Sequence, residues 1–141
     1  MKIKELYIGG KKGLPPQRVS SMELIAGRGP AGEAHGKRQA GMWSKEDRER
    51  LESLKEQALC GKRFFANIIV DSFDAGLKAG DILRSGGAVM KIVPEGKRCF
   101  GEECELFLSG IPCPLRSCIY LTIETGGTIS ENDQIIREDS L

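Results

Sequence analysis

Four cysteines in the last third of the chain, Cys99, Cys104, Cys113 and Cys118, follow a C-x4-C-x8-C-x4-C pattern. Thiolates ligate structural zinc and also act as sulfur nucleophiles, so the spacing has to separate a shared ion from individual thiols. Zinc sites built on cysteine pairs use two to four intervening residues, which puts both pairs at the edge of that range. Plant-type iron–sulfur spacing needs x4 followed by x2, and this chain has x8 there. Cys99 is set apart by Lys97 and Arg98 before it. Their charges favour the thiolate, the form that accepts sulfur and can carry it as a persulfide. Alternation along a strand puts Lys97 on the face of Cys99. Cys118 opens the apolar run CIYLTIE and reads, like Cys60, as a packing residue, while Cys104 and Cys113 are candidate neighbours or resolving thiols.

A second constellation is GRGPAGEAHGKRQ, residues 27–39, with a formal G-x-G-x-x-G at Gly27, Gly29 and Gly32. Dinucleotide binding requires those glycines to open a helix, and Glu33, His35, Gly36 and Gly41 make a poor helix start. A glycine-rich turn between strands is the better reading. The same stretch holds the single histidine, His35, among Glu33, Lys37, Arg38 and Gln39. Backbone amides freed by glycine, an imidazole and a guanidinium could cradle a phosphate or a dithiolene-bound metal oxide. The plainer alternative is a charged surface loop.

The elements that must position these groups are short. KIKELYI (2–8), RVSSMELI (18–25), FFANIIV (64–70), DILR (81–84), AVMKIV (88–93), ELFL (105–108), CIYLTIE (118–124) and QIIRE (134–138) read as strands divided by glycine, proline or acidic turns. Ser85-Gly86-Gly87 reads as a hairpin turn. Ser44 and Asp47 form a capping box for one helix, running to about Leu59, with Leu51, Leu54 and Ala58 on its apolar stripe. The fold class expected is mainly β, a closed or nearly closed β-barrel with one or two short helices, because closure removes exposed strand edges. Residues 1–141 read as a single domain, long enough to bury roughly 70% of its unfolded surface.

Charge excludes some functions. With 21 basic and 20 acidic residues the net charge is +1, so no broad positive field is available for nucleic acid. No apolar run is long enough for a membrane span, and MKIKELYIGG is too charged for a signal peptide, so a cytoplasmic location is expected. Five cysteines without a secretion signal are then thiols, ligands or core residues.

On these residues the sequence resembles the MOSC domain, the module at the carboxyl end of molybdenum-cofactor sulfurases that also occurs as short stand-alone proteins. GPAGEAHGKRQ resembles the family's glycine-acidic-x-His segment followed by Arg-Gln, at Gly32, Glu33, His35, Arg38 and Gln39. RFFANIIVDSFDAGLKAGDIL is similar to its Phe-x-x-Asn-Ile and Leu-x-x-Gly-Asp segments, at Phe64, Asn67, Ile68, Leu77, Gly80 and Asp81. VMKIVPEGKRCF resembles the strand leading to the family's functional cysteine, which falls on Cys99, and CIYLTIETGGTISENDQI resembles its closing strands. Glu33 stands where aspartate is commoner, Ala66 replaces the usual Glu before Asn-Ile, and Ala40-Gly41 replaces a Val-Ser type continuation.

The resemblance implies a MOSC-type, pyruvate-kinase-barrel-like domain that accepts sulfur on Cys99 and delivers it to a metal–sulfur cofactor. Gly32, Glu33, His35, Arg38, Gln39, Asn67 and Lys97 are its expected cofactor-binding residues, and no metal ligand is assigned. The implied cofactor is molybdenum cofactor (molybdopterin). Pyridoxal phosphate is not expected, because 141 residues leave no room for a desulfurase domain. The implied partners are a cysteine desulfurase-type sulfur donor and a molybdoenzyme or cofactor-biosynthesis protein, with no nucleic acid or membrane. Sulfur-transferase activity with a separate donor is one form this could take. Two alternatives differ in class: a molybdenum-cofactor-dependent reductase of N-hydroxylated compounds, and a structural four-cysteine zinc module.

Overall fold

The computed structural model describes residues 1–9, 14–33, 39–54, 64–94 and 104–138. Their architecture is mainly β. An eight-stranded sheet has the order β11-β7-β8-β9-β5-β6-β1-β2, and a three-stranded sheet has the order β10-β3-β4. The strands are β1 (Ile3–Ile8), β2 (Gln17–Val19), β3 (Ser21–Ile25), β4 (Gly29–Pro30), β5 (Ala40–Ser44), β6 (Ile68–Val70), β7 (Ile82–Ser85), β8 (Ala88–Ile92), β9 (Ile119–Thr125), β10 (Gly127–Ser130) and β11 (Ile136–Arg137). The large sheet curls into a half-barrel, and side chains of both sheets share one core that includes Leu6, Met22, Leu24, Met42, Met90, Leu121 and Ile129. This is the nearly closed β-barrel expected from the sequence.

In β1, Ile3 and Leu6 both point into that core although they are three positions apart, an odd spacing. The register shift between Ile3 and Glu5 against β6 explains this, because an extra residue reverses the side-chain alternation. Glu5 and Tyr7, two apart, thereby share the opposite face.

Three differences from the sequence reading have simple causes. The run 18–25 is two strands, not one: it breaks at Ser20, β2 pairing with β1 and β3 with β10 and β4. ELFL is the helix α2 (Glu105–Leu108), not a strand, with the Leu108 amide donating to the Cys104 carbonyl at 3.0 Å. Four residues are too few for a period to show. The sequence reading also lacked β5, whose AGMWS has no alternation because every residue in it is buried. It lies between β9 and a parallel β6, and strands covered on both faces lose the polar alternation that marks a strand.

Helix α1 (Lys45–Leu54) supplies the crossover between the parallel strands β5 and β6. Ser44 caps it as expected, accepting from the Asp47 amide at 3.2 Å. The expected extension to Leu59 lies outside the described residues, as do Ala58 and Cys60. Leu51 packs into a second cluster with Trp43, Ala66, Ile69, Cys104, Leu106, Leu115 and Cys118. The β7–β8 hairpin turns through Gly86 and Gly87 at φ +53° and +81°, the pair of positive values a type I′ turn needs. Among the described residues, no helix is long and apolar enough to cross a membrane.

Candidate functional site

At the joint of β1, β5 and β6, Asn67 is 4% exposed, and its amide makes three bonds. Oδ1 accepts from the Gly41 amide at 3.0 Å, and Nδ2 donates to the Tyr7 carbonyl at 3.1 Å and to Glu33 Oε2 at 2.9 Å. The other oxygen of Glu33 accepts from the Gly9 amide. A side chain that must both accept and donate in one plane calls for an amide, which is why Asn serves here and Asp would not. The resemblance assigns Asn67 and Glu33 to cofactor binding, and the structure brings them together as a latch between three strands. Gly32 precedes the latch in a turn at φ +91°.

Gln39 pins the other end of the 34–38 segment. Its amide donates to the Leu121 carbonyl at 3.0 Å, and its Oε1 accepts from the Ile123 amide at 2.7 Å. His35 and Arg38 belong to that segment and lie outside the described residues. Lys97 and Cys99 also lie outside them, in the segment 95–103 that follows β8.

Ala40 of β5 and Ile92 of β8 both pair with Leu121 of β9, from opposite sides, two strand spacings or about 10 Å apart. Both strands run antiparallel to β9, so the chain enters β5 from the Ile123 side and leaves β8 on the Ile119 side. The Val93 amide continues the contact by donating to the Tyr120 carbonyl at 3.0 Å. The 95–103 segment ends at Cys104, which is buried in the cluster with Cys118 and Ala66. Ala66, where the family resemblance expects a carboxylate, is 2% exposed in this apolar setting. A charge there would be desolvated, so alanine suits this chain.

Beside the latch lies a charged network the sequence reading missed. Arg48 of α1 pairs with Glu5 Oε2 at 2.5 Å, the Tyr7 hydroxyl donates to Glu5 Oε1 at 2.6 Å, and Arg18 stands 3.7 Å from the same oxygen. The Arg48 bond holds the Glu5 carboxyl below its ordinary range against the opposing effect of burial. Burial, with the carboxylate beside it, pushes the Tyr7 phenol up. Tyr7 and Arg48 also line a cavity of about 170 Å³ walled by Pro16, Trp43, Phe64 and Phe65, with Trp43 and Phe64 in edge-to-face contact at 5.0 Å. The one available sequence signal was Glu5 two residues before Tyr7 in β1, a spacing that puts both on one face.

The remaining cysteines divide. Cys118 is 4% exposed and packs in the second cluster, as expected of a core residue. Cys104 and Cys113 line one cleft between α1 and the 3-10 helix Pro114–Ser117. Among the described residues, no group of three His, Cys, Asp or Glu side chains is arranged to hold a metal ion, so Cys104, Cys113 and Cys118 do not by themselves make a zinc site. The Leu-x-x-Gly-Asp segment closes a turn: Asp81 accepts from the Lys78 amide at 2.9 Å, and Gly80 has φ +92°.

No family model matches the chain, and no curated protein matches it. Solved structures do. YuaD from Bacillus subtilis superposes with a TM-score of 0.64 at 18% identity, covering 95% of this chain and 93% of its own. YiiM from Geobacillus stearothermophilus gives 0.67 at 14% identity over 98% and 75%, and YiiM from Escherichia coli gives 0.64 at 14% over 100% and 71%. YuaD and YiiM are MOSC-domain proteins, and the fold of this chain is consistent with theirs.

Proposed function

We propose that this chain is a sulfur carrier for a molybdenum-type cofactor. In this reading the Cys99 thiolate attacks the outer sulfur of a persulfide on a cysteine desulfurase-type donor. A new S–S bond forms on Cys99, the donor's S–S bond breaks, and the donor leaves as its own thiolate. The Cys99 persulfide then yields its outer sulfur to a reduced cofactor centre presented by a molybdoenzyme or cofactor-biosynthesis protein, whose two electrons take the sulfur to the sulfide level while the S–S bond breaks and Cys99 is released as its thiolate.

The observation that supports this most is the fold likeness to YuaD and YiiM, which agrees with the sequence resemblance that puts the family's functional cysteine at Cys99. Glu33, Asn67 and Gln39 act as positioning residues here, since their bonds to described residues run to the protein's own backbone and to each other. The described residues supply no metal-ligand set, and molybdenum enters as the centre that receives sulfur.

The test is loading with a persulfidated desulfurase, followed by peptide mapping of each cysteine by mass spectrometry. One reductant-labile sulfur on Cys99, absent in Cys99→Ser with the fold intact, is expected. A Cys99→Ser variant that still accepts and passes sulfur sinks the reading.

A further inference from the structure

The cleft between α1 and the 3-10 helix is the largest described cavity in which a nucleophile meets cations. It measures about 600 Å³, with Cys104 and Cys113 on its walls beside Arg50 and Arg116. Cys113 is the half-buried thiol of the two, whereas Cys104 is 8% exposed, so a reagent in the cleft reaches Cys113 first.

Both arginines line the cleft with Cys113. Arg50 Nη2 donates to the carbonyl of Pro112, the preceding residue, at 3.3 Å. Arg116 is one turn on, its amide donating to the Cys113 carbonyl at 3.1 Å. Arg116 is exposed and makes no ion pair with any described residue.

The one carboxylate among the described lining residues is already committed. Asp47 Oδ1 accepts from Arg50 Nη1 at 2.9 Å, and its Oδ2 accepts from Ser117 Oγ at 2.5 Å and from Ser44 Oγ at 3.2 Å. Among the described lining residues, two guanidiniums against one carboxylate give a positive balance. A positive cleft both favours the Cys113 thiolate and draws in an anion.

We infer that this cleft admits a small oxyanion carrying a sulfane sulfur, of which thiosulfate is the simplest, and that Cys113 is its sulfur acceptor. The inference rests on the carrier reading, for which it supplies a second, inorganic sulfur donor. The Cys113 thiolate attacks the outer sulfur of thiosulfate. The S–S bond to the sulfonate breaks, its electron pair leaves with sulfite, and Cys113 becomes a persulfide anion. Charge and sulfur balance without an external oxidant. Arg116 stabilises the dianion as it arrives and as it leaves, a planar fork matched to paired oxygens.

The experiment incubates the reduced chain with thiosulfate, or with inorganic polysulfide in a parallel arm, and maps every cysteine by mass spectrometry. One sulfur on Cys113 in the thiosulfate arm is expected, released by cyanide as thiocyanate and absent in Cys113→Ser. Removing one guanidinium contact by Arg116→Ala should slow loading about tenfold, with partial rescue in Arg116→Lys. In the wild-type protein, thiosulfate should also change the alkylation of Cys113 before that of Cys118, a readout that no folding defect can mimic.

No sulfur on Cys113 in the thiosulfate arm overturns the inference. If polysulfide or a persulfidated donor loads Cys99 while thiosulfate leaves Cys113 untouched, the inference fails and the carrier reading stands. If thiosulfate loads Cys113 while no donor ever loads Cys99, the carrier reading fails and the cleft keeps its assignment.

Discussion

Asn67 Nδ2 donates to Glu33 Oε2 at 2.9 Å, joining residues 34 apart in sequence at the point where β1, β5 and β6 meet. The pair works only if one member donates. Asn67→Asp keeps the acceptor for the Gly41 amide but sets a carboxylate against Glu33, and like charges at this distance cannot both stay ionised cheaply. The variant should be destabilised at pH 7 by about 3 kcal/mol, the cost of an unmet buried group beside a charge. The deficit should shrink on acidification, because the repulsion raises the new carboxyl's pKa and protonation restores a donor. Urea unfolding across pH 4 to 8 reads this, and a deficit that does not change with pH would exclude the repulsion.

Glu5 gives the wild-type chain a pH dependence of opposite sign. Its folded pKa is lowered, first by the Arg48 bond. Its contribution is therefore fully present above the unfolded glutamate value of about 4.3 and is lost as pH falls through the folded pKa. Glu5→Gln should cost about 2 kcal/mol at pH 7, the usual scale for a hydrogen bond to a charged partner, and progressively less below about pH 4. Equal destabilisation at pH 7 and pH 3 would show that the pair's charge does not matter.

Asp47 Oδ2 receives two hydroxyls, from Ser44 and Ser117, and so links the start of α1 to the 3-10 helix. Ser44→Ala should cost about 1 kcal/mol as a lost N-cap. Ser117→Ala should cost a similar amount, since it also leaves Trp43 Nε1 with only the Pro114 carbonyl. Sharing one acceptor, the two changes should be non-additive by more than about 0.5 kcal/mol in a double-mutant cycle. Simple additivity would mean the shared oxygen carries no coupling.

The two glycines of the β7–β8 turn should separate strain from steric conflict. At Gly87, φ is +81° and a methyl would meet open space, so Gly87→Ala should cost about 1 kcal/mol for the conformation alone. At Gly86, φ is also positive, and a methyl would run into the Thr128 carbonyl of β10. Gly86→Ala should then cost at least about 2 kcal/mol more, because backbone must shift. Matching thermal midpoints for the two variants would show that β10 yields at that contact.

Much of this protein is legible in its sequence wherever the physics is local. The glycine pair 86–87, the Ser44 cap and the alternation in IYLTIET each specify their element from neighbouring residues alone, because positive φ, orphan amides and a period of two are short-range constraints. The interplay of charge near Cys99 and around His35 is likewise visible in order, and it motivates the functional reading. What only the tertiary structure decided are the relationships between distant segments. AGMWS is a central strand because β6 and β9 cover it, ELFL is a helix because its packing and the bond to Cys104 fix a period too short to see, and Asn67 finds Glu33 through strand order. Leu121 sets Ala40 and Ile92 on either side of one strand because it pairs on both edges, and Arg50 reaches the backbone beside Cys113 across 62 residues of chain. Such contacts follow from burial and sheet topology acting on the whole chain, so no window of the sequence contains them.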